Sequence, residues 1–214
     1  MTKIILVRHG QSEANVAHLF AAGLTDAPLT ELGRRQADAI AHYLVAHEKI
    51  DAVYASDLSR ATNTVRPVAD RLGLTVIPAP GLREIYAGVW ENQPYDLLRE
   101  KYAADYEVWK LDPPNARPTG GESVAELYER VIATVLRLAA ENEGKTILLG
   151  SHWTPVLAVI SHALVGNASG MVPENTPLNA AIHIFHAENG VLTPVALNIT
   201  AHLADLPPAP PYQA

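Results

Sequence analysis

The feature that constrains this chain most is the alternation of short apolar runs with amphipathic helical periods. Ile4-Ile5-Leu6-Val7, Ala52-Val53-Tyr54-Ala55 and the stretch 146–150 are too short for helices and carry several β-branched residues, so they read as buried strands. Residues 75–77 read as a further short strand. Between them lie helical periods. Ala37, Ile40, Ala41, Leu44 and Val45 recur at helical spacing after Thr30, an N-cap residue. Ala61, Val65, Val68 and Leu72 do so after Asp57, read as the cap, with Gly73 as the stop. Ser123 and Glu126 form a capping box ahead of Val124, Leu127, Val131, Val135 and Leu138. A last helix is expected over 155–165, and the runs 180–186 and 191–197 read as a hairpin turning at Asn189-Gly190. Strand–helix alternation of this kind predicts an α/β fold: a three-layer α/β/α sandwich with a mostly parallel central sheet.

Between 78 and 121 the pattern breaks. Pro80, Pro94, Pro113, Pro114 and Pro118 interrupt it, and Tyr86, Trp90, Tyr95, Tyr102, Tyr106 and Trp109 are scattered through it, which predicts a lid-like insertion of short helices. Residues 1–205 are expected to form one domain. Residues 206–214, Leu-Pro-Pro-Ala-Pro-Pro-Tyr-Gln-Ala, are expected to be an extended Pro-rich tail.

Composition removes several functions. Sixteen basic against 23 acidic residues give a net charge of −7, which argues against nucleic acid or an anionic membrane surface as partner. The absence of Cys excludes a thiolate nucleophile, a disulfide framework and Cys-based metal sites. A His-only metal site lacks the required spacing, since no His-Glu-x-x-His run exists. The first apolar run, ended by Arg8, is too short for a signal or membrane segment, so a cytoplasmic location is expected.

In an open α/β sheet, ligands bind beyond the carboxyl ends of the strands. Arg8 and His9 follow the first predicted strand, Ser56, Asp57 and Arg60 the second, and Ser151 and His152 the strand at 146–150. Two guanidinium forks at one sheet edge match phosphate oxygens, and helix N-termini there add backbone donors. A phosphate pocket follows. The alternative is that each is an ordinary polar residue at a strand end.

Arg8-His9-Gly10 followed by Ser12-Glu13-Ala14-Asn15 resembles the signature of the histidine phosphatase superfamily, also called phosphoglycerate-mutase-like. Further segments fall in that family's order: residues 23–33, Ser56-Asp57-Leu58-Ser59-Arg60-Ala61, Leu82-Arg83-Glu84 with Gly88-Val89-Trp90-Glu91, Gly120-Gly121-Glu122-Ser123, and Ser151-His152. The resemblance implies an enzyme, a phosphoric monoester hydrolase of the phosphatase branch that needs neither metal nor cofactor. His9 would be the nucleophile and form a phosphohistidine, kept neutral by the two nearby guanidinium charges. Arg8, Arg60, His152 and Asn15 would bind the phosphoryl oxygens. Glu84 occupies the family's proton-donor position, the alternative being a surface pair with Arg83; neither Glu91 nor Glu122 is given a catalytic role. The expected partner is a small phosphorylated substrate, and the aromatic insertion would suit a homodimer contact.

Two departures stand out. Trp153-Thr154-Pro155 follows His152 where the family usually has Gly, and Asn92 stands where Gly is common. The indole would either narrow the pocket, tilt His152 away, or point into the core. The alternative functions are a cofactor-dependent phosphoglycerate mutase and a weakly catalytic phospho-ligand-binding protein. Mutases of the family carry a Glu-Arg-His-Tyr-Gly block and more cations, whereas Glu84-Ile85-Tyr86-Ala87-Gly88 stands here.

Overall fold

The run Ile4-Ile5-Leu6-Val7 is fully buried because it lies at the centre of a sheet covered on both faces. In the computed structural model, which describes residues 1–207, the strands are β1 (Thr2–Arg8), β2 (Ala52–Ala55), β3 (Val76–Pro78), β4 (Thr146–Ser151), β5 (Ile182–Glu188) and β6 (Val191–Ile199). Their order is β3-β2-β4-β1-β5-β6, with the first three pairings parallel and the two involving β5 antiparallel. The mostly parallel sheet is therefore as expected. The tail expected from 206 lies, from 208 onward, outside the described residues.

Successive residues of β1 feed two separate cores. Ile4 and Leu6 join Ile147, Leu149 and Phe185 on one face, and Ile5 and Val7 join Val53, Leu148 and Ile182 on the other. Each such side chain contributes about 1.5–3 kcal/mol by leaving water. The helices are α1 (Glu13–Val16), α2 (Glu31–His47), α3 (Ser59–Leu72), α4 (Tyr95–Lys101), α5 (Ala103–Leu111), α6 (Val124–Glu141) and α7 (Trp153–Val165). Apolar residues of α2 and α3 fill the Ile5/Val7 core, and those of α6, α7 and the insertion fill the other, which completes the three layers.

The local chemistry sets most boundaries. Thr30 caps α2 by accepting from Gly33 N at 3.0 Å, and the Ser123–Glu126 capping box opens α6. Gly73 ends α3 in the left-handed region, and Asn189 and Gly190, both at positive φ, make the β5–β6 turn. Four expectations are corrected. Asp57 does not cap α3: Leu58 holds that position without a side-chain bond, because the Asp57 carboxylate is taken by Arg83 in a two-point ion pair of 2.6 and 2.7 Å. The helix expected over 155–165 starts earlier, at Trp153, with His152 as its extended N-cap residue. The third strand runs one residue later than read, and the hairpin's first strand begins at Ile182 because Ala180 is in the left-handed region. The insertion does consist of short elements, α4, α5 and three 3₁₀ turns.

Register positions the site. Arg8 pairs with Ser151 across β1 and β4, and Ala55 with Gly150 across β2 and β4. Three parallel strands therefore end side by side, and residues 8–9, 56–60 and 151–152 emerge at one edge. His9 N donates to Ser151 O and Ser56 N to Gly150 O, both at 2.9 Å, which continues the pairing one step past the strands.

Candidate active site

A cavity of about 40 Å³ opens at that edge, and Arg8, His9, Asn15, Arg60 and Glu84 are among the residues that line it. All of these except Asn15, which is half-buried, are buried, and His152 lies fully buried behind His9 with ring centroids 5.3 Å apart. The structure thus brings together all six residues named from the sequence.

The state of His9 is set by its neighbour. Its Nδ1 lies 2.7 Å from the carbonyl oxygen of Gly10. A carbonyl only accepts, so Nδ1 carries the hydrogen and Nε2 keeps its lone pair. Protonation is opposed: burial, then the charges of Arg60 and Arg8, hold the imidazole well below its usual pKa of 6.5. Burial, rather than the guanidinium charges expected from the sequence, is the larger cause.

The backbone around His9 is fixed by glycine. The 9–12 loop presses on the start of α2 so closely that a Cβ on Gly33 would overlap the Gln11 carbonyl, and one on Gly10 would come within 2.7 Å of Gly33 O. Gly10 N donates to Thr64 Oγ1 on α3, and Gln11 N to Gln36 Oε1 on α2. From the other side Ala180 N donates to the carbonyls of Arg8 and His9, and Asn179 Nδ2 to His9 O.

Each guanidinium is oriented by carbonyls. Arg8 Nη1 donates to Pro177 O at 2.8 Å, and Arg60 donates from Nη1 to Thr25 O at 2.6 Å and from Nη2 to Ala22 O at 3.0 Å. Burial disfavours the charge of Arg60, while the carboxylates of Glu84, Asp26 and Glu91 favour it. Glu91 also acts on Arg60 indirectly, since its Oε1 accepts from Ala22, Leu24 and Thr25 N–H and so ties down the loop whose carbonyls hold the guanidinium. Asn15 Oδ1 accepts from Ser12 N and Oγ in the capping box of α1.

Glu84 does not pair with Arg83. Its Oε1 accepts from Ile85 N at 2.8 Å and its Oε2 from Thr154 N at 3.2 Å in the first turn of α7. The Glu84 segment is braced in turn by Arg130, which donates to Gly81 O and Arg83 O and forms a two-point pair with Glu122, itself an acceptor from Tyr86 N. His152 stays against the His9 ring. Its Nε2 shares a 2.8 Å hydrogen bond with Ser56 Oγ, its buried Nδ1 has no hydrogen-bond partner among the described residues, and burial, then Arg60, hold its pKa well below 6.5. Trp153, half-buried, lines the cavity and also tilts against Trp109 at 6.3 Å, so the pocket-narrowing and core readings are both partly met.

Sequence reasoning missed Ser56 as the partner of His152, Thr154 as a donor to Glu84, Pro177 and Asn179 beneath Arg8 and His9, and the loop carbonyls around Arg60. Apart from Ser56, which stands at a strand end, no sequence signal marks them, because backbone groups and single loop residues carry no spacing.

A buried imidazole with a free lone pair, two buried guanidinium groups and a carboxyl group around one cavity, at the carboxyl edge of an α/β/α sheet, are the kinds of group that phosphoryl transfer requires. Comparison with known proteins agrees. Residues 4–200 match the model of the histidine phosphatase superfamily (branch 1), and the chain belongs to that family. It is 33% identical over 205 residues, 96% of each chain, to phosphoserine phosphatase 1 of Hydrogenobacter thermophilus. It is 36% identical over 169 residues, 79% of this chain and 83% of the other, to the adenosylcobalamin/alpha-ribazole phosphatase of Salmonella typhimurium. Its fold superposes on that of Bacillus stearothermophilus YhfR with a TM-score of 0.89 at 23% identity, covering 95% of this chain and all of the other.

Proposed function

We propose that the protein is a phosphomonoesterase that hydrolyses a small phosphorylated metabolite through a phosphohistidine on His9. The observation that carries this reading is the tautomer of His9: with Nδ1–H spent on Gly10 O, the lone pair of Nε2 is available at the floor of the cavity. Nε2 attacks phosphorus in line, the N–P bond forming as the P–O bond to the leaving alcohol breaks. Arg8 and Arg60 take the equatorial oxygens, where charge spreads in the transition state. Asn15, with Oδ1 committed to Ser12, offers Nδ2, and His152 offers Nδ1–H when Ser56 Oγ donates to Nε2. Glu84 gives its proton to the departing alkoxide. Water then attacks the phosphohistidine, Glu84 accepts the proton of that water, and release of inorganic phosphate restores His9.

The guanidinium groups supply the positive charge that a divalent ion supplies elsewhere, so the reaction requires no metal. Relatives named as phosphatases support hydrolysis over mutase activity. So does the pocket: Arg8 and Arg60 are its cations among the described lining residues, leaving none to retain a bisphosphate. Retention of all the reacting groups speaks against a binding protein.

The expected setting is the cytoplasm, to which the absence of any helix long and apolar enough to cross a membrane, among the described residues, raises no obstacle. A homodimer through the insertion would draw on the exposed Val108 and Leu111 of α5. The test is hydrolysis of p-nitrophenyl phosphate by the purified chain in excess EDTA. Turnover that survives EDTA and is inhibited by vanadate is expected; loss on chelation, restored by a divalent ion, overturns the mechanism.

A further inference from the structure

Beyond its phosphoryl end the cavity changes character. Leu19, Phe20, Tyr95, Trp109 and Trp153 line it there, brought from the loop after α1, from the insertion helices α4 and α5, and from the start of α7. The rings form a continuous wall: Trp153 tilts against Trp109 at 6.3 Å, and Phe20 meets Trp109 at 5.3 Å and Tyr95 at 5.6 Å, edge to face. Phe20 and Trp109 are buried, whereas Leu19, Tyr95 and Trp153 are half-buried and give the mouth its surface. Two segments of the wall are tied to each other by backbone bonds, Phe20 N to Gln93 O, Asn92 N to Phe20 O and Tyr95 N to His18 O.

Charge is distributed to match. Among the described lining residues, the cations are Arg8 and Arg60, both at the phosphoryl end, and the one other formal charge is the carboxyl group of Glu84. None of the insertion's basic residues lines the cavity: Arg83 pairs with Asp57, Arg99 pairs with Asp96 and sits over the Tyr106 ring, Lys101 lies over Tyr102, Arg117 pairs with Glu126, and Lys110 is exposed. A leaving group with its own carboxylate would lose hydration against aromatic faces and meet no cation. An apolar, planar one would exchange water for ring contacts.

We infer that the aromatic wall selects phosphomonoesters of apolar, ring-bearing alcohols and disfavours phosphorylated hydroxy acids and amino acids. The inference rests on the phosphatase reading above and narrows its substrate class. Trp153 and Tyr95 are the specificity-determining residues, since they form the mouth that the leaving group crosses.

The test compares two primary alkyl phosphates with the same demand for leaving-group protonation, 3-phenylpropyl phosphate and 4-phosphooxybutanoate. The expected kcat/KM favours the phenyl ester by about 10- to 100-fold, the value of burying one ring. Trp153→Ala and Tyr95→Ala should each shrink that preference mainly through a higher KM for the phenyl ester, and Leu19→Lys should shift it toward the carboxylate. Equal kcat/KM for the two esters, or a preference for the carboxylate, overturns the inference and leaves the phosphatase reading standing. No hydrolysis of either ester overturns both. The wild-type ratio alone decides the matter if a variant fails to fold.

Discussion

Glu84 is held by two backbone N–H groups, one from its own segment and one from the first turn of α7, and this double attachment is what aims it at the cavity. If it protonates the leaving oxygen, Glu84→Gln keeps the volume and loses about 10²- to 10⁴-fold in turnover on an alkyl phosphate. The loss on p-nitrophenyl phosphate should be much smaller, because that leaving group departs as a stable anion. Steady-state rates on both substrates check this, and equal losses would assign Glu84 to positioning. The residues proposed for the chemistry are legible because each follows a strand or sits in a family block. Their supports are not. Glu91 acts through three backbone N–H groups of a loop some 70 positions away in the chain, and Arg130 through the carbonyls of residues 81 and 83. Neither contact leaves a pattern in the sequence, since the acceptor or donor on the far side is backbone.

At the scale of elements, capping chemistry makes α2 and α6 readable from single residues, Thr30 and Ser123, while α3 starts without the cap its sequence offers. Asp57 has the right side chain for a cap, but Arg83 competes for it with a charged fork, and its pKa is lowered chiefly by that hydrogen bond. The insertion was recognised by its prolines, yet nothing in their spacing foretold that Phe20, Tyr95, Trp109 and Trp153 would meet, because those contacts link four different elements. The 9–12 loop packs directly on the first turn of α2. Gly33 lies in the first turn of that helix and leaves no room for a methyl group against Gln11 O. Gly33→Ala should therefore destabilise by about 1–3 kcal/mol despite the better helix propensity of Ala, and should also lower turnover by displacing His9. Thermal melts and kcat measured together check it; a higher melting temperature with unchanged kcat would contradict the packing account.

Across the whole molecule, several imidazoles are buried as neutral groups. His9 and His152 sit well below 6.5, and His183, in β5 with Nδ1 accepting from Asn198 N at 3.2 Å, is lowered to about 4 by burial. Their folded pKa values lie below the unfolded value, so the unfolded chain binds more protons as pH falls through 6.5. Stability is full above that pH and is lost on acidification, His183 alone costing about 3 kcal/mol by pH 4. Urea unfolding at pH 7.5 and 4.5 should show a large loss for the wild type and a smaller one for His183→Gln, which keeps an acceptor for Asn198 without the titration. An identical pH dependence in the two proteins would remove His183 from the account.

The fold, the register of three parallel strands and the tautomer of His9 all support the proposed transfer of a phosphoryl group to Nε2. Its most direct measurement is a rapid quench of the enzyme with ³²P-labelled substrate under alkaline conditions, followed by mapping of the label. The account predicts a phosphoryl group on His9, stable in base, lost in acid, and absent from His9→Ala. Label retained in that variant, or mapped to another residue, would contradict it.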